Sequence, residues 1–407
     1  MNRLFKSYGL NAPYDGIPAG ADASSLLLDP IDCAGKAKLR TIFDRGISRG
    51  FHFVDIIQTI LVYGFFLSLL ISPIHKIMEI APTSGKWRDH LRVLSDCSIL
   101  ESVPKSQLLG FARYFAVPKS DGKARAIFNG RLLSTLFRTP RNTNLPPIKN
   151  ILELISRFGV FYSCGDWRHM FHQFRMNDAV SNWFGMELGG KTYRYSTLPM
   201  GFSYSPVIAQ SIAWCILLEA VCRAKLAKPE DFTDLNATPE FIILRNAKGL
   251  PYGFVSVWYD NVIAGFLSSQ PRDDFHTALE TLCGPEHFNV AFKGSLGKYS
   301  LKDMKPDGDA KKRLKYLGME FSCRKRSRES DAYEVQLRHD PDRMSRWQMM
   351  RSRPSERPQN ALARRSLAPV CLGTSFHQMN GQRVWCSSLT IESAGSWKSM
   401  RGARSPC

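Results

Sequence analysis

Gly165-Asp166-Trp167-Arg168-His169-Met170-Phe171-His172-Gln173-Phe174 follows a β-like run, Phe161-Tyr162-Ser163-Cys164, and so sets an acid at a strand end. Asp260 comes 94 residues further on, in Trp258-Tyr259-Asp260-Asn261, between the strand-like runs Phe254 to Trp258 and Val262 to Phe266. Adjacent strands of one sheet would bring the two acids together. Two neighbouring carboxylates repel unless a cation lies between them, and hard oxygen ligands with open positions suit Mg²⁺. Two such ions would stabilise both the attacking and the leaving oxygen of a phosphoryl transfer. Taken singly, an Asp at a turn is ordinarily a turn former bonding its own backbone.

Outward from these acids the chain alternates strand-like and helical runs between about 110 and 325, which predicts an α+β fold. Tyr114 to Val117 and Ala124 to Asn129 flank Lys119-Ser120-Asp121-Gly122-Lys123, where the Asp-Gly pair signals a hairpin. Ile148 to Phe158 reads as a helix, Val160 to Cys164 as a strand, and Ser205 to Leu226 as a long apolar helix. Tyr259-Asp260-Asn261 reads as the turn of a second hairpin.

The chain has 407 residues, 44% hydrophobic and 11% aromatic, enough for a sizeable core and too apolar for a disordered chain. Its 55 Lys and Arg against 36 Asp and Glu leave +19, an excess that favours a polyanionic partner. The ten cysteines are scattered singly, without zinc spacing, which fits reduced thiols in the cytoplasm or nucleus. The N-terminal residues carry no secretory signal pattern. Ile56 to Ile71, the most apolar run, is short for a membrane span and carries Asp55 at its edge, so a buried helix is expected and stable membrane association is not. Three regions follow: an N-terminal helical and irregular extension, 1–99; a central domain, 100–337; and a basic tail, 338–407, rich in Arg and Ser, that reads as flexible or degenerate.

The motifs in order resemble the fingers and palm of a retroelement reverse transcriptase. Val117-Pro118-Lys119-Ser120-Asp121-Gly122-Lys123-Ala124-Arg125 resembles the fingers hairpin, with Asn129-Gly130-Arg131-Leu132-Leu133 its continuation. The Asp166 and Asp260 stretches resemble two palm motifs, Trp258-Tyr259-Asp260-Asn261 standing where the family usually has Tyr-x-Asp-Asp. Leu198-Pro199-Met200-Gly201-Phe202-Ser203-Tyr204-Ser205-Pro206 resembles the motif between them, and Lys315-Tyr316-Leu317-Gly318-Met319-Glu320-Phe321 the primer-grip hairpin. The forms are closest to LTR-type and tyrosine-recombinase (DIRS-like) elements, and Tyr-Asp-Asn is reminiscent of the VIPER group.

The resemblance implies a right-hand polymerase fold, with fingers and an antiparallel palm sheet packed on helices, and RNA-directed DNA polymerase activity. Asp166 and Asp260, with the Trp167 carbonyl, would hold two Mg²⁺ ions, or Mn²⁺. Lys119 and Arg125 would reach the triphosphate and Phe171 would act as the steric gate. Met200 and Gly201 would lie at the nucleotide, the glycine allowing close backbone approach to nucleotide or template. Lys293 would protonate the leaving pyrophosphate, and Leu317, Gly318 and Met319 would support the primer end. Implied partners are an RNA or DNA template with its primer, dNTPs, and a ribonuclease H or recombinase encoded elsewhere in the element.

Two positions depart from the family pattern. Asn261 replaces the second acid of the hairpin, and Asn129 an acid of the fingers continuation. The tail offers no set of four acids for a ribonuclease H site. An enzyme of impaired turnover, or a relic that binds nucleic acid without catalysis, remains the alternative; a membrane-associated structural protein, resting on Ile56 to Ile71 alone, is a further rival.

Overall fold

The computed structural model describes residues 22–51, 53, 82–119, 122–137, 144–232, 235, 237–305, 312–317, 319–325, 333–339, 374–379 and 382–391. The apolar run Ile56 to Ile71, Ser120 and Asp121 of the first hairpin, Gly318 and much of the tail lie outside them.

In chain order the strands are β1 (Leu100–Ser102), β2 (Tyr114–Pro118), β3 (Ala124–Phe128), β4 (Phe161–Asp166), β5 (Gly185–Leu188), β6 (Lys191–Tyr195), β7 (Phe241–Arg245), β8 (Pro251–Trp258), β9 (Asn261–Phe266), β10 (Gly297–Ser300), β11 (Leu314–Tyr316), β12 (Met319–Lys325), β13 (Tyr333–His339), β14 (Thr374–Met379) and β15 (Gln382–Ile391). The longer helices are α1 (Leu39–Ser48), α2 (Arg88–Asp96), α3 (Ile148–Phe158), α4 (Ser205–Arg223) and α5 (Ser269–Cys283). The fold is α+β, and every strand pair within its sheets is antiparallel.

The sheet that carries the two acids runs β10-β4-β9-β8-β7. Its central strands are almost continuously apolar because both faces are covered. Val255, Val257, Val262, Ala264 and Phe266 belong to the core that includes α4 and α5. Phe254 and Ile263, pointing the other way, join Tyr162 and Cys164 in a second core with Ile151, Leu154 and Ile155 of α3. The period-2 alternation of side chains therefore splits one sheet between two cores. α4 is apolar all round because it is buried all round. Among the described residues it is the one helix long and apolar enough to cross a membrane, and it lies inside the chain's own core.

The hairpin β2–β3 and helix α3 fall where the sequence pattern puts them. Other boundaries move for identifiable reasons. β4 runs on to Asp166 because its pairing with β9 continues through Gly165↔Val262 and Asp166↔Asn261. The second turn is Tyr259-Asp260 alone, Asn261 being the first residue of β9. α4 stops at Arg223: Lys225 adopts φ +57 and the Leu226 N–H bonds the Val221 carbonyl, a Schellman-type close.

Residues 22–51 are joined to the central body. Ile42, Phe43 and Phe51 lie in the same core as α4, and Arg49 pairs with the buried Glu219 at 2.9 Å. At the other end, β14 and β15 extend the sheet β11-β12-β13-β15-β14. The sequence pattern places no element there, because the apolar residues Phe376, Val384, Trp385 and Leu389 do not alternate and lie among many Arg and Ser.

Candidate active site

The two acids converge through main-chain bonds rather than through any local motif. β4 and β9 pair at Asp166↔Asn261, and the Trp167 N–H donates to the Asp260 carbonyl at 2.7 Å. The Lys293 N–H donates to the Asp166 carbonyl at 2.7 Å, and the Arg168 N–H to Ala291 at 2.9 Å, so the segment before β10 backs the end of β4. The Asp166 and Asp260 carboxyls are close enough to influence each other's protonation. Asn261 Nδ2 donates to Asp260 Oδ1 at 2.8 Å.

Burial pushes the Asp166 carboxyl up to about 7, and the neighbouring Asp260 charge adds to the rise; Lys293 and Arg125 pull against it. Burial also raises Asp260, opposed by main-chain and Asn261 donors and by Arg125. The pair thus retains a proton between its members near neutrality. The unfolded chain would release that proton near pH 4. Between roughly pH 4 and 7 the folded chain therefore binds more protons, and stability falls as pH rises through that window. In EDTA, the melting temperature of wild type minus that of Asp166→Asn should decrease from pH 5 to pH 8. A difference that is flat, or that grows with pH, contradicts the assigned coupling.

Two buried glutamines brace this site, and the sequence reading gave neither a role. Gln210 of α4 accepts the Tyr259 N–H through Oε1 at 2.7 Å and donates through Nε2 to the Val257 carbonyl at 2.9 Å. Gln173 accepts the Ala291 N–H at 2.7 Å and donates to the Ala291 and Arg168 carbonyls. A polar residue within an apolar run is the available signal, since a buried amide needs partners.

Arg125, exposed on β3, lies within electrostatic range of both carboxylates, and Lys293 within range of Asp166. Lys119 is held elsewhere, by Asp29 at 3.1 Å, with Lys123 on the same carboxylate. Trp167 is buried, its ring stacked on Phe292 at 5.8 Å. Phe171 is half-buried at the core margin, on the one-turn helix Met170–Gln173 that follows His169 at φ +47. The Met200 carbonyl accepts the Phe128 N–H at 2.9 Å. Gly201 has φ +111, and a Cβ there would sit 2.0 Å from the Phe128 carbonyl oxygen. The close approach that Gly201 permits is thus to the main chain of β3. Leu317 has φ +51 at the end of β11, Met319 opens β12 in the second core, and Gly318 lies outside the described residues.

The donor set suits a hard divalent cation: two neighbouring carboxylates that retain a proton when alone, with the Asn261 amide bonded to one of them. Among the described residues, no group of three or more His, Cys, Asp or Glu is placed to hold a metal ion.

No protein-family model matches the sequence, and no curated protein matches it. Solved structures similar to part of the chain include foamy viral proteins. The foamy viral protease-reverse transcriptase dRH in complex with dsDNA is 12% identical with a TM-score of 0.42, over 81% of this chain and 51% of that one. The foamy viral protease-reverse transcriptase in complex with dsDNA is 14% identical with a TM-score of 0.39, over 63% and 44%. The same protein with an RNA/DNA hybrid is 14% identical at 0.39, over 62% and 28%. The chain spans about half or less of the length of these proteins.

Proposed function

We propose that this chain is the polymerase part of a retroelement reverse transcriptase, an RNA-directed DNA polymerase that joins dNTPs to a primer 3′-hydroxyl. The observation that carries the reading is the Asp166–Asp260 pair, drawn from a strand end and an adjacent hairpin turn and locked by the 2.7 Å bond from Trp167 to Asp260. The ordered motifs of the sequence support it, as does the +19 charge.

Asp166 and Asp260 would hold Mg²⁺ or Mn²⁺ with help from the Trp167 carbonyl. Such ions, when bound, would neutralise the charge that develops on the phosphoryl oxygens. Arg125 offers forked donors to a triphosphate. Lys119 would exchange Asp29 for a phosphate, and Lys293 would deliver a proton to the leaving pyrophosphate. Phe171 would press on the sugar and exclude a 2′-hydroxyl. Met200 and Gly201, packed on the main chain of β3, would lie at the nucleotide, and Leu317, Gly318 and Met319 would lie under the primer end. An RNA or DNA template with its primer would be the macromolecular partner; a ribonuclease H or recombinase would come from elsewhere in the element. The working compartment would be cytoplasm or nucleus. The element would be of LTR or DIRS-like type, and the Tyr-Asp-Asn form would fit the VIPER group.

Primer extension on poly(rA)·oligo(dT), with Mg²⁺ and Mn²⁺ tested separately, decides the reading. Incorporation of dTMP that depends on either ion supports it, and none with either ion overturns it. Binding to primer–template should weaken linearly on a log–log plot against salt, with a slope near −0.9 per phosphate contacted on duplex DNA. A flat dependence would argue against an electrostatic groove.

The second reading, nucleic-acid binding without turnover, draws on Asn261, which donates to Asp260 where the family places another acid. Asn261→Asp replaces that donor with an anion beside two carboxylates. In EDTA the variant should melt below wild type, and Mg²⁺ should raise it more than it raises wild type. Extension equal to or above wild type marks a working site. If the variant folds and loses an activity that wild type has, the assigned ligand geometry fails.

A further inference from the structure

We propose that Gln210 is a positioning residue that sets the turn carrying Asp260 and thereby the affinity of the acid pair for divalent cations. The proposal rests on the polymerase reading above.

Gln210 sits in the first half of α4 with no solvent exposure, among Ala209, Ile212, Ala213 and Trp214. A buried primary amide is tolerated only if its donors and acceptor find partners. Here the orientation is fixed by chemistry: the Tyr259 N–H can only donate and the Val257 carbonyl can only accept, so Oε1 faces the first and Nε2 the second. The two bonds bracket Trp258 and fasten both sides of it to a rigid helix.

The turn needs that fastening. Tyr259 has φ +52, a left-handed conformation that costs a non-glycine residue energy and relaxes unless its surroundings hold it. Asp260 follows directly, and its carbonyl receives the Trp167 N–H beside Asp166. Releasing Tyr259 would therefore shift Asp260 relative to Asp166 and loosen the only carboxylate pair described at this site. Gln210 is 49 residues before Tyr259 and acts entirely through the main chain of the turn. Residues that orient metal ligands in this indirect way typically change affinity by about 10–100-fold when removed.

Three measurements on the full chain test this, with Mn²⁺ as the probe. Gln210→Met keeps side-chain length and removes both bonds. Its Mn²⁺ dissociation constant, read by water-proton relaxation, should rise about tenfold or more. Ile212→Ala, on the same buried helix, should lower the melting temperature and leave Mn²⁺ affinity within about twofold, which a purely structural role for Gln210 would also predict of Gln210→Met. Mn²⁺ affinity of Gln210→Met within about twofold of wild type overturns the proposal. Should that variant not fold, amide exchange in wild type decides: the Tyr259 N–H should exchange at least about a hundredfold more slowly than those of the open turn Gly189-Gly190, and equal rates overturn the proposal. Asp260→Asn calibrates the probe. If it and wild type bind Mn²⁺ alike, the metal assignment of the polymerase reading has failed, and the exchange result alone then judges the clamp on the turn.

Discussion

Asp260→Ala should lose about a thousandfold or more of primer extension while melting no more than slightly below wild type in EDTA. A thousandfold corresponds to about 4 kcal/mol of transition-state stabilisation, an ordinary amount for a carboxylate that holds the ions of a phosphoryl transfer. The small effect on stability follows from the same geometry. Asp260 is raised by burial and shares a proton with Asp166, so removing it relieves desolvation and repulsion in the metal-free protein. The loss on the other side is the acceptor of the Asn261 amide, bonded at 2.8 Å. Asn261 is half-buried and can turn that donor to water, at a cost of about 1 kcal/mol. A variant that keeps a tenth or more of wild-type extension would sink the assignment of Asp260. A variant that collapses would show that the acid is structural instead.

Gly201→Ala should destabilise the protein by about 3 kcal/mol or more, the largest stability effect expected of a single methyl group at this site. Two costs combine. At φ +111 an L side chain is strained by about 1–3 kcal/mol whatever space surrounds it. The new Cβ would also lie 2.0 Å from the Phe128 carbonyl oxygen, and main chain cannot swing aside as a side-chain tip can. β3 is pinned at that point, since the Phe128 N–H bonds the Met200 carbonyl. The strand would have to move, and Arg125 with it. Gly189→Ala supplies the control: it too has positive φ, +58, but open space around the new Cβ, so strain is its main cost. Thermal melts of the two variants side by side should separate them clearly. Equal melting temperatures would mean that the contact with Phe128 is not tight.

Much of the candidate site was legible because its elements are local. Asp-Gly between β-like runs marks the hairpin β2–β3, the spacing of Ile151, Leu154 and Ile155 gives one face of α3, and the apolar runs on either side of Tyr259-Asp260 give β8 and β9. What was misjudged was local structure overridden from afar. Gly165 and Asp166 read as turn residues after Cys164, whereas the partner strand β9 keeps them extended in β4. Asn261 reads as part of the turn for the same reason, and the tail reads as unstructured because its sequence carries many Arg and Ser.

The sequence by itself determined that two acids would sit at a strand end and in a hairpin, that the chain is basic, and that Ser205 to Leu226 would form a long apolar helix. Each follows from spacing and composition, which any residue carries with it. Only the tertiary structure decided that Asp166 and Asp260 are brought together at the end of β4, that Asn261 donates to one of them, that Lys119 is paired with Asp29, that Gly201 faces the main chain of β3, and that Gln210 bonds the turn at Tyr259. Those facts depend on which strand pairs with which, and in what register, across separations of tens of residues. Hydrophobic period says which face a side chain buries; it does not say what waits on the other side.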